Sequence, residues 1–232
     1  MHFTLADLVT DISQNGAESG ASIVELHISE ISPSAGKGEF RFTVKDNGKG
    51  MSGEELKRAQ DPFVTDGIKH VHRKVGLGIP FLIQTAETSG GGWKIESRKK
   101  TGGGKAGDGA AAVPSGAPAV PPGAPAVPQG GAGEPSGTEV SAWFDLGNID
   151  TPPVGDVPGL IRTVLLFHGP EEIVVKRILE RAGKSAGYEL RKTELVDALG
   201  NLEEAGSLIL LDRYLRSLEG DEGEESEEHV VN

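Results

Sequence analysis

The chain has 232 residues, 34 of them glycine and none cysteine, with a formal charge of −12. Disulfides and thiolate metal sites are therefore excluded, and a reducing compartment is expected. Seven of the acids fall within Glu219–Glu228, so the body of the protein is only mildly acidic and offers no basic stripe for a nucleic-acid backbone. The N-terminus lacks the basic start and apolar run of a secretory signal, and no apolar stretch approaches the ~18 residues that would cross a bilayer. A cytoplasmic protein bound to neither membrane nor nucleic acid is expected.

In chain order, Thr4 and Asp7 read as a capping box opening a helix with Leu5, Leu8, Val9 and Ile12 on one face. Val24, Leu26 and Ile28 alternate with polar residues, as do Phe40, Phe42 and Val44, which is the pattern of two half-buried strands. Ser52 and Glu55 cap a short helix, and Ile79–Thr88 reads as another, with Pro80 in its first turn. Trp93–Ser97 and Glu139–Phe144 have strand character. Between them, residues 102–136 are rich in Gly, Ala and Pro, and repeat Gly-Ala-Pro-Ala-Val-Pro at 116–121 and 123–128. Such a composition buries too little surface to offset the entropy of ordering, so it reads as a disordered insertion in a hairpin turn. The order predicts an α+β two-layer sandwich, helices on a mixed, mostly antiparallel sheet, spanning 1–150.

Residues 151–218 read as a small C-terminal appendage. Leu160–Phe167 is a helix candidate, and 173–191 fits a hairpin turning at Ala182-Gly183-Lys184-Ser185, although a helix over 171–181 fits as well. Thr193 is placed to cap a helix over Glu194–Leu199, and Ser207–Leu218 forms the last. Residues 219–232 read as an acidic disordered tail.

Four short segments carry chemistry. Asp11 and Asn15 lie four apart on one helix face, with Glu18 a turn further on. A carboxylate beside an amide oxygen suits water positioning and Mg²⁺, which takes hard oxygen ligands. Asp46-Asn47-Gly48-Lys49-Gly50 follows a strand: Asp46 can accept from an exocyclic amine, and the glycines admit close backbone approach. Lys74-Val75-Gly76-Leu77-Gly78 opens a helix and offers N–H groups to phosphate. The polar stretch 61–73 before it suits a lid whose Lys69 and Arg73, together with Lys74, reach phosphates; His70 and His72 have no further ligands beside them and read as lid residues. Gly137-Thr138 enters the last strand. Singly, each segment is an ordinary helix face, turn or strand start.

Together they resemble the GHKL superfamily of gyrase, heat-shock chaperones of the Hsp-ninety type, histidine kinases and mismatch-repair MutL proteins. Asp11…Asn15 matches the N-box, Asp46-x-Gly48-x-Gly50 and Gly76-Leu77-Gly78 match the two glycine boxes, and Gly137-Thr138 matches the terminal Gly-Thr. The resemblance implies a Bergerat-type ATP-binding fold with ATP and Mg²⁺ as cofactors. It places Asn15 on the metal, Asp46 on the adenine amine, Gly48 and Gly50 around the base, and Gly76, Leu77 and Gly78 at the phosphates, within reach of Lys74. Thr138 would help hold adenine.

The stretches Asp61-Pro62-Phe63 to Gly78-Ile79-Pro80 and Asn148 to Asp156 look most like small stand-alone bacterial ATP-binding proteins, some encoded beside iron hydrogenases. Family ATPases carry a Glu as general base where this chain has Asp11, one methylene shorter. Binding is therefore expected more firmly than catalysis. A nucleotide-dependent switch acting on a protein partner is the leading expectation, with a kinase or ATPase and a non-nucleotide scaffold as alternatives.

Overall fold

The computed structural model describes residues 4–32, 38–62, 78–100, 109–112, 136–181 and 184–220. Helix α1 (Leu5–Ala17) begins at the expected capping box: the Thr4 hydroxyl accepts from the Asp7 amide, and the Asp7 carboxylate accepts from the Thr4 amide. Two further donors of the first turn, the Leu5 and Ala6 amides, are taken by the carbonyls of Pro153 and Val154. This leaves few of the helix's orphan N–H groups unsatisfied. Leu5, Leu8, Val9 and Ile12 are buried, each contributing about 1.5–3 kcal/mol by leaving water.

Strands β1 (Ile23–Ser32) and β2 (Glu39–Asp46) pair antiparallel, and their alternation puts Val24, Leu26, Ile28, Phe40, Phe42 and Val44 on the helix side. Helix α2 (Gly53–Gln60) follows the Ser52–Glu55 capping box, and α3 (Gly78–Thr88) comes next among the described residues. Strand β3 (Gly92–Arg98) pairs antiparallel with β5 (Gly137–Asp145), as expected for a hairpin with a long insertion. Phe42 and Phe144 stack with centroids 6.3 Å apart under these helices.

The insertion holds one surprise. Gly109–Ala112, read as part of the disordered stretch, forms strand β4 on the outer edge of β3. Pairing there needs only backbone N–H and C=O, which alanines supply as well as larger residues, so composition gave no sign of it. The remainder of the insertion, and the tail beyond 220, lie outside the described residues.

The C-terminal segment, expected as an appendage, continues the same sheet. After α4 (Val157–Leu165), β6 (Glu172–Arg181) pairs parallel with β1 over its whole length, and β7 (Lys184–Arg191) closes the edge. The strand alternative at 171–181 is the one realised, in keeping with the β-branched run Ile173-Val174-Val175. Lys184 and Ser185, assigned to the turn, already belong to β7.

The sheet order is β4-β3-β5-β2-β1-β6-β7: mixed, with one parallel pair. Helices α5 (Lys192–Leu199) and α6 (Ala205–Glu219) complete the chain. Thr193 is not the cap of α5. Arg191 occupies that position without a side-chain capping bond, and the Thr193 hydroxyl donates to Glu172 at 2.6 Å. No helix among the described residues is long and apolar enough to cross a membrane.

Glu219, counted with the acidic tail by composition, is the last residue of α6 and is anchored in the interior. Its carboxylate takes both Nε and Nη2 of Arg177 at 3.0 Å and the Tyr188 hydroxyl at 2.6 Å. Arg177, on β6, is fully buried and also donates to Glu30 of β1 at 2.8 Å. A buried cation among two carboxylates is tolerated because its donors are matched, but removing it strands both acids.

Although burial alone would push the Glu219 carboxyl up, Arg177 and Tyr188 together hold it below its ordinary value of 4.5. The stabilisation it brings is therefore complete above that value and is lost as pH falls through the lower, folded-state one. Arg177→Met is expected to cost about 3–5 kcal/mol in urea unfolding at pH 7. The difference from wild type should shrink as pH is lowered below about 4.5. A pH-independent difference would mean the carboxylates do not carry the effect.

Candidate functional site

The C-terminal end of β2 delivers Asp46 beneath the last turn of α1, where its side chain is nearly buried. Its Oδ1 accepts from the Gly48 amide and from the Ser19 hydroxyl, both at 2.9 Å. Burial pushes the Asp46 carboxyl above its ordinary value of 3.8, against the opposing pull of the bonds from Gly48, Ser19 and Thr138. An acceptor held in place by two donors, at the foot of a depression, is suited to a ligand N–H.

The loop after Asp46 is pinned on both sides. Asn47 turns back and accepts from the Ser22 and Ile23 amides, so it is a structural residue of the turn. The Lys49 amide donates to the Ser19 carbonyl, and the Lys49 carbonyl accepts from Lys100. Two glycines are obligatory here. A Cβ on Gly48 would collide with the Ser19 hydroxyl, and Gly50 has φ +62° with the Arg98 carbonyl where its Cβ would stand.

Above this floor lies a cavity of about 370 Å³. Val44, Met51, Ile79 and Val140 give it apolar walls; Asn15, Glu18, Asp46, Lys49 and Thr138 give it polar groups; Gly16 contributes bare backbone. The size and the mostly apolar lining with a few convergent polar groups suit a small-molecule site.

The structure thus brings together Asn15, Asp46, Gly50 and Thr138 from three distant segments. Thr138 sits directly opposite Asp46 in the β2–β5 register. Gly78, opening α3, lies against the same face of α1, where an added Cβ would stand 3.4 Å from Asn15 Nδ2 and 3.9 Å from Asp11 Cβ. Asp11 is exposed and lines a second, more open concavity between α1 and α4, and it is not among the residues lining the first. Lys74, Gly76 and Leu77 lie outside the described residues, as do Lys69, His70, His72 and Arg73.

Two residues that the sequence reading passed over complete the site. Ser19 orients Asp46. Ser97, buried at the end of β3, accepts from the Met51 amide at 2.7 Å and lies 2.9 Å from the Thr138 hydroxyl and 3.2 Å from the Gly137 carbonyl. One hydroxyl therefore ties the end of the glycine loop to the start of β5.

The family model for histidine kinase-, DNA gyrase B- and HSP90-like ATPases matches residues 3–111. These residues form a GHKL-type ATPase domain. The helices laid on a mixed sheet, with the glycine loop leaving β2, are consistent with the Bergerat architecture of that superfamily. Solved structures similar to the chain include the N-terminal domain of a DNA repair protein, at 9 % identity and TM-score 0.42, covering 88 % of this chain and 58 % of that one. The Aquifex aeolicus MutL ATPase domain complexed with ADP is similar at 18 % identity and TM-score 0.34, covering 83 % of this chain and 65 % of that one. Both coverages fall short of two thirds of those chains. No curated protein matches the sequence.

In the GHKL domain the Ser97 hydroxyl has a measurable consequence. Ser97→Ala would leave the Met51 amide without its acceptor, a loss of about 1–3 kcal/mol in unfolding free energy. Nucleotide affinity should fall with it, because Met51 and Thr138 both line the cavity. Unchanged affinity by calorimetry would show that the loop keeps its shape without the hydroxyl.

Proposed function

We propose that this protein is a regulatory ATP-binding module in which Mg²⁺–ATP seated over Asp46 changes contacts with a protein partner. The observation carrying the reading is the asymmetry of the site. Its base-binding end is fully built around a buried acceptor, whereas Asp11, at the position of the family's general base, stands outside the cavity wall. Adenine presents an N–H donor to Asp46 and flat apolar faces to Val44, Met51, Ile79 and Val140.

Asn15 would supply an amide oxygen to the metal. Among the described residues no group of three His, Cys, Asp or Glu side chains is placed to hold a metal by itself. That suits Mg²⁺, which keeps waters and takes its other ligands from nucleotide phosphates. When bound, the ion would neutralise phosphate charge beside α1.

A contact of α1 supports a response in the C-terminal segment. The α1 helix that carries Asn15 has its first amides bound by Pro153 and Val154, the strap that leads into α4. Nucleotide pulling on α1 would thus act on the C-terminal segment. The resemblance of residues 148–156 makes an iron hydrogenase the first partner to test.

Isothermal titration of Mg²⁺–ATP should show binding to the wild type and a loss of at least roughly tenfold in Asp46→Asn, whose amide presents a donor to the adenine amine when its nitrogen faces the base. Asn15→Ala should abolish the Mg²⁺-dependent part of the affinity while leaving adenine recognition. Equal binding by Asp46→Asn would reject the site. Rapid turnover by the isolated protein would move the reading from switch to ATPase or kinase.

A further inference from the structure

We propose that Ser19 is a positioning residue that fixes the purine preference of the site, making it select a 6-amino over a 6-oxo purine. The inference rests on the reading of the cavity as a nucleotide site. Ser19 lies just beyond the C-terminal end of α1, in the wall of the cavity. Its hydroxyl has one proton, and that proton goes to Asp46 Oδ1 at 2.9 Å. Its carbonyl holds the Lys49 amide, and its hydroxyl occupies the space that a side chain at position 48 would need. Ser19 is therefore built into the same unit as the Asp46 acceptor, and it acts on a base only through that acceptor.

The chemistry follows from what a carboxyl group can offer. An ionised Asp46 only accepts, so it pairs with the amine of adenine and repels the carbonyl oxygen of hypoxanthine. A protonated Asp46 carries an O–H and can donate to that carbonyl. Burial drives the group towards the protonated form, whereas the donors from Gly48, Ser19 and Thr138 favour the ionised one. Gly48 and Thr138 donate through their backbone, which no side-chain substitution removes. Ser19 is thus the side-chain donor in that balance, and the one a substitution can remove. Among the described residues, the other ionisable side chains lining the cavity are Glu18 of the α1 C-terminus and Lys49 of the glycine loop.

The test compares ATP with inosine triphosphate, which share ribose and phosphates, so that titration of phosphate, Glu18 or Lys49 largely cancels in the ratio of their Kd values. The wild type should prefer ATP at pH 7 and lose that preference only as pH falls towards the carboxylate range. In Ser19→Ala the preference should drop roughly tenfold, the scale of a hydrogen bond to a charged group. The pH at which it is lost should also move upward, because the bond that favours ionisation is gone. Ser19→Cys, with a weaker donor of the same shape, should lie between the two, and it serves as the variant if Ser19→Ala does not fold.

A uniform loss of affinity for both nucleotides, with the ratio and its pH profile unmoved, would show a merely structural serine and overturn the inference. So would unchanged behaviour. A wild type that binds neither nucleotide would overturn the proposed function itself, and this inference with it.

Discussion

The burial of one carboxylate at the end of a central strand organises this protein's site. Asp46 has to be brought under the C-terminal turn of α1 and shielded from water while its acceptor oxygens stay hydrogen-bonded. Each neighbouring feature answers that demand. Ser19 and Gly48 donate to it, and Gly50 lets the loop turn back under β3. Ser97 then fastens the loop to β5 opposite. The sheet's order follows the same logic, since β2 lies between β1 and β5 and can present its end to elements from both sides.

The C-terminal segment shares this frame. Ten residues of β6 pair with β1 in parallel register, and Pro153 and Val154 cap the first turn of α1. The buried Arg177 bridges β1, β6 and the end of α6, fixing the far end of the sheet. A segment bound in this way is mechanically joined to the N-box helix. Under the proposed function, a nucleotide signal would pass from Asn15 to the C-terminal surface by movement of α1 against α4.

Much of this was legible in the sequence where a pattern extends over several residues. Alternation marked β1 and β2, the capping boxes marked α1 and α2, and the spacing of Asp11, Asn15, Asp46, Gly78 and Thr138 marked the superfamily. Single hydroxyls left no such trace. Ser19 and Ser97 matter because folding places each beside one particular acceptor or amide, and a lone serine has no periodicity to betray it. Glu219 was obscured by composition: it heads an acidic run, yet only tertiary packing shows that one member of the run meets a buried arginine. Strand β4 was hidden for a related reason, since edge pairing draws on backbone groups that every sequence has. At 171–181, where a helix reading fitted almost as well as the strand, the available edge of β1 decided the outcome.

The proposed function seats a nucleotide base between Asp46, the glycine loop and the start of β5. Hydrogen exchange of the backbone amides, with and without Mg²⁺–ATP, tests it most directly. Slower exchange should appear at Gly48–Met51 and at Gly137–Thr138, and should vanish in Asp46→Asn, while β7 stays unaffected. Protection confined to the concavity between α1 and α4, or the same pattern persisting in Asp46→Asn, would contradict the account.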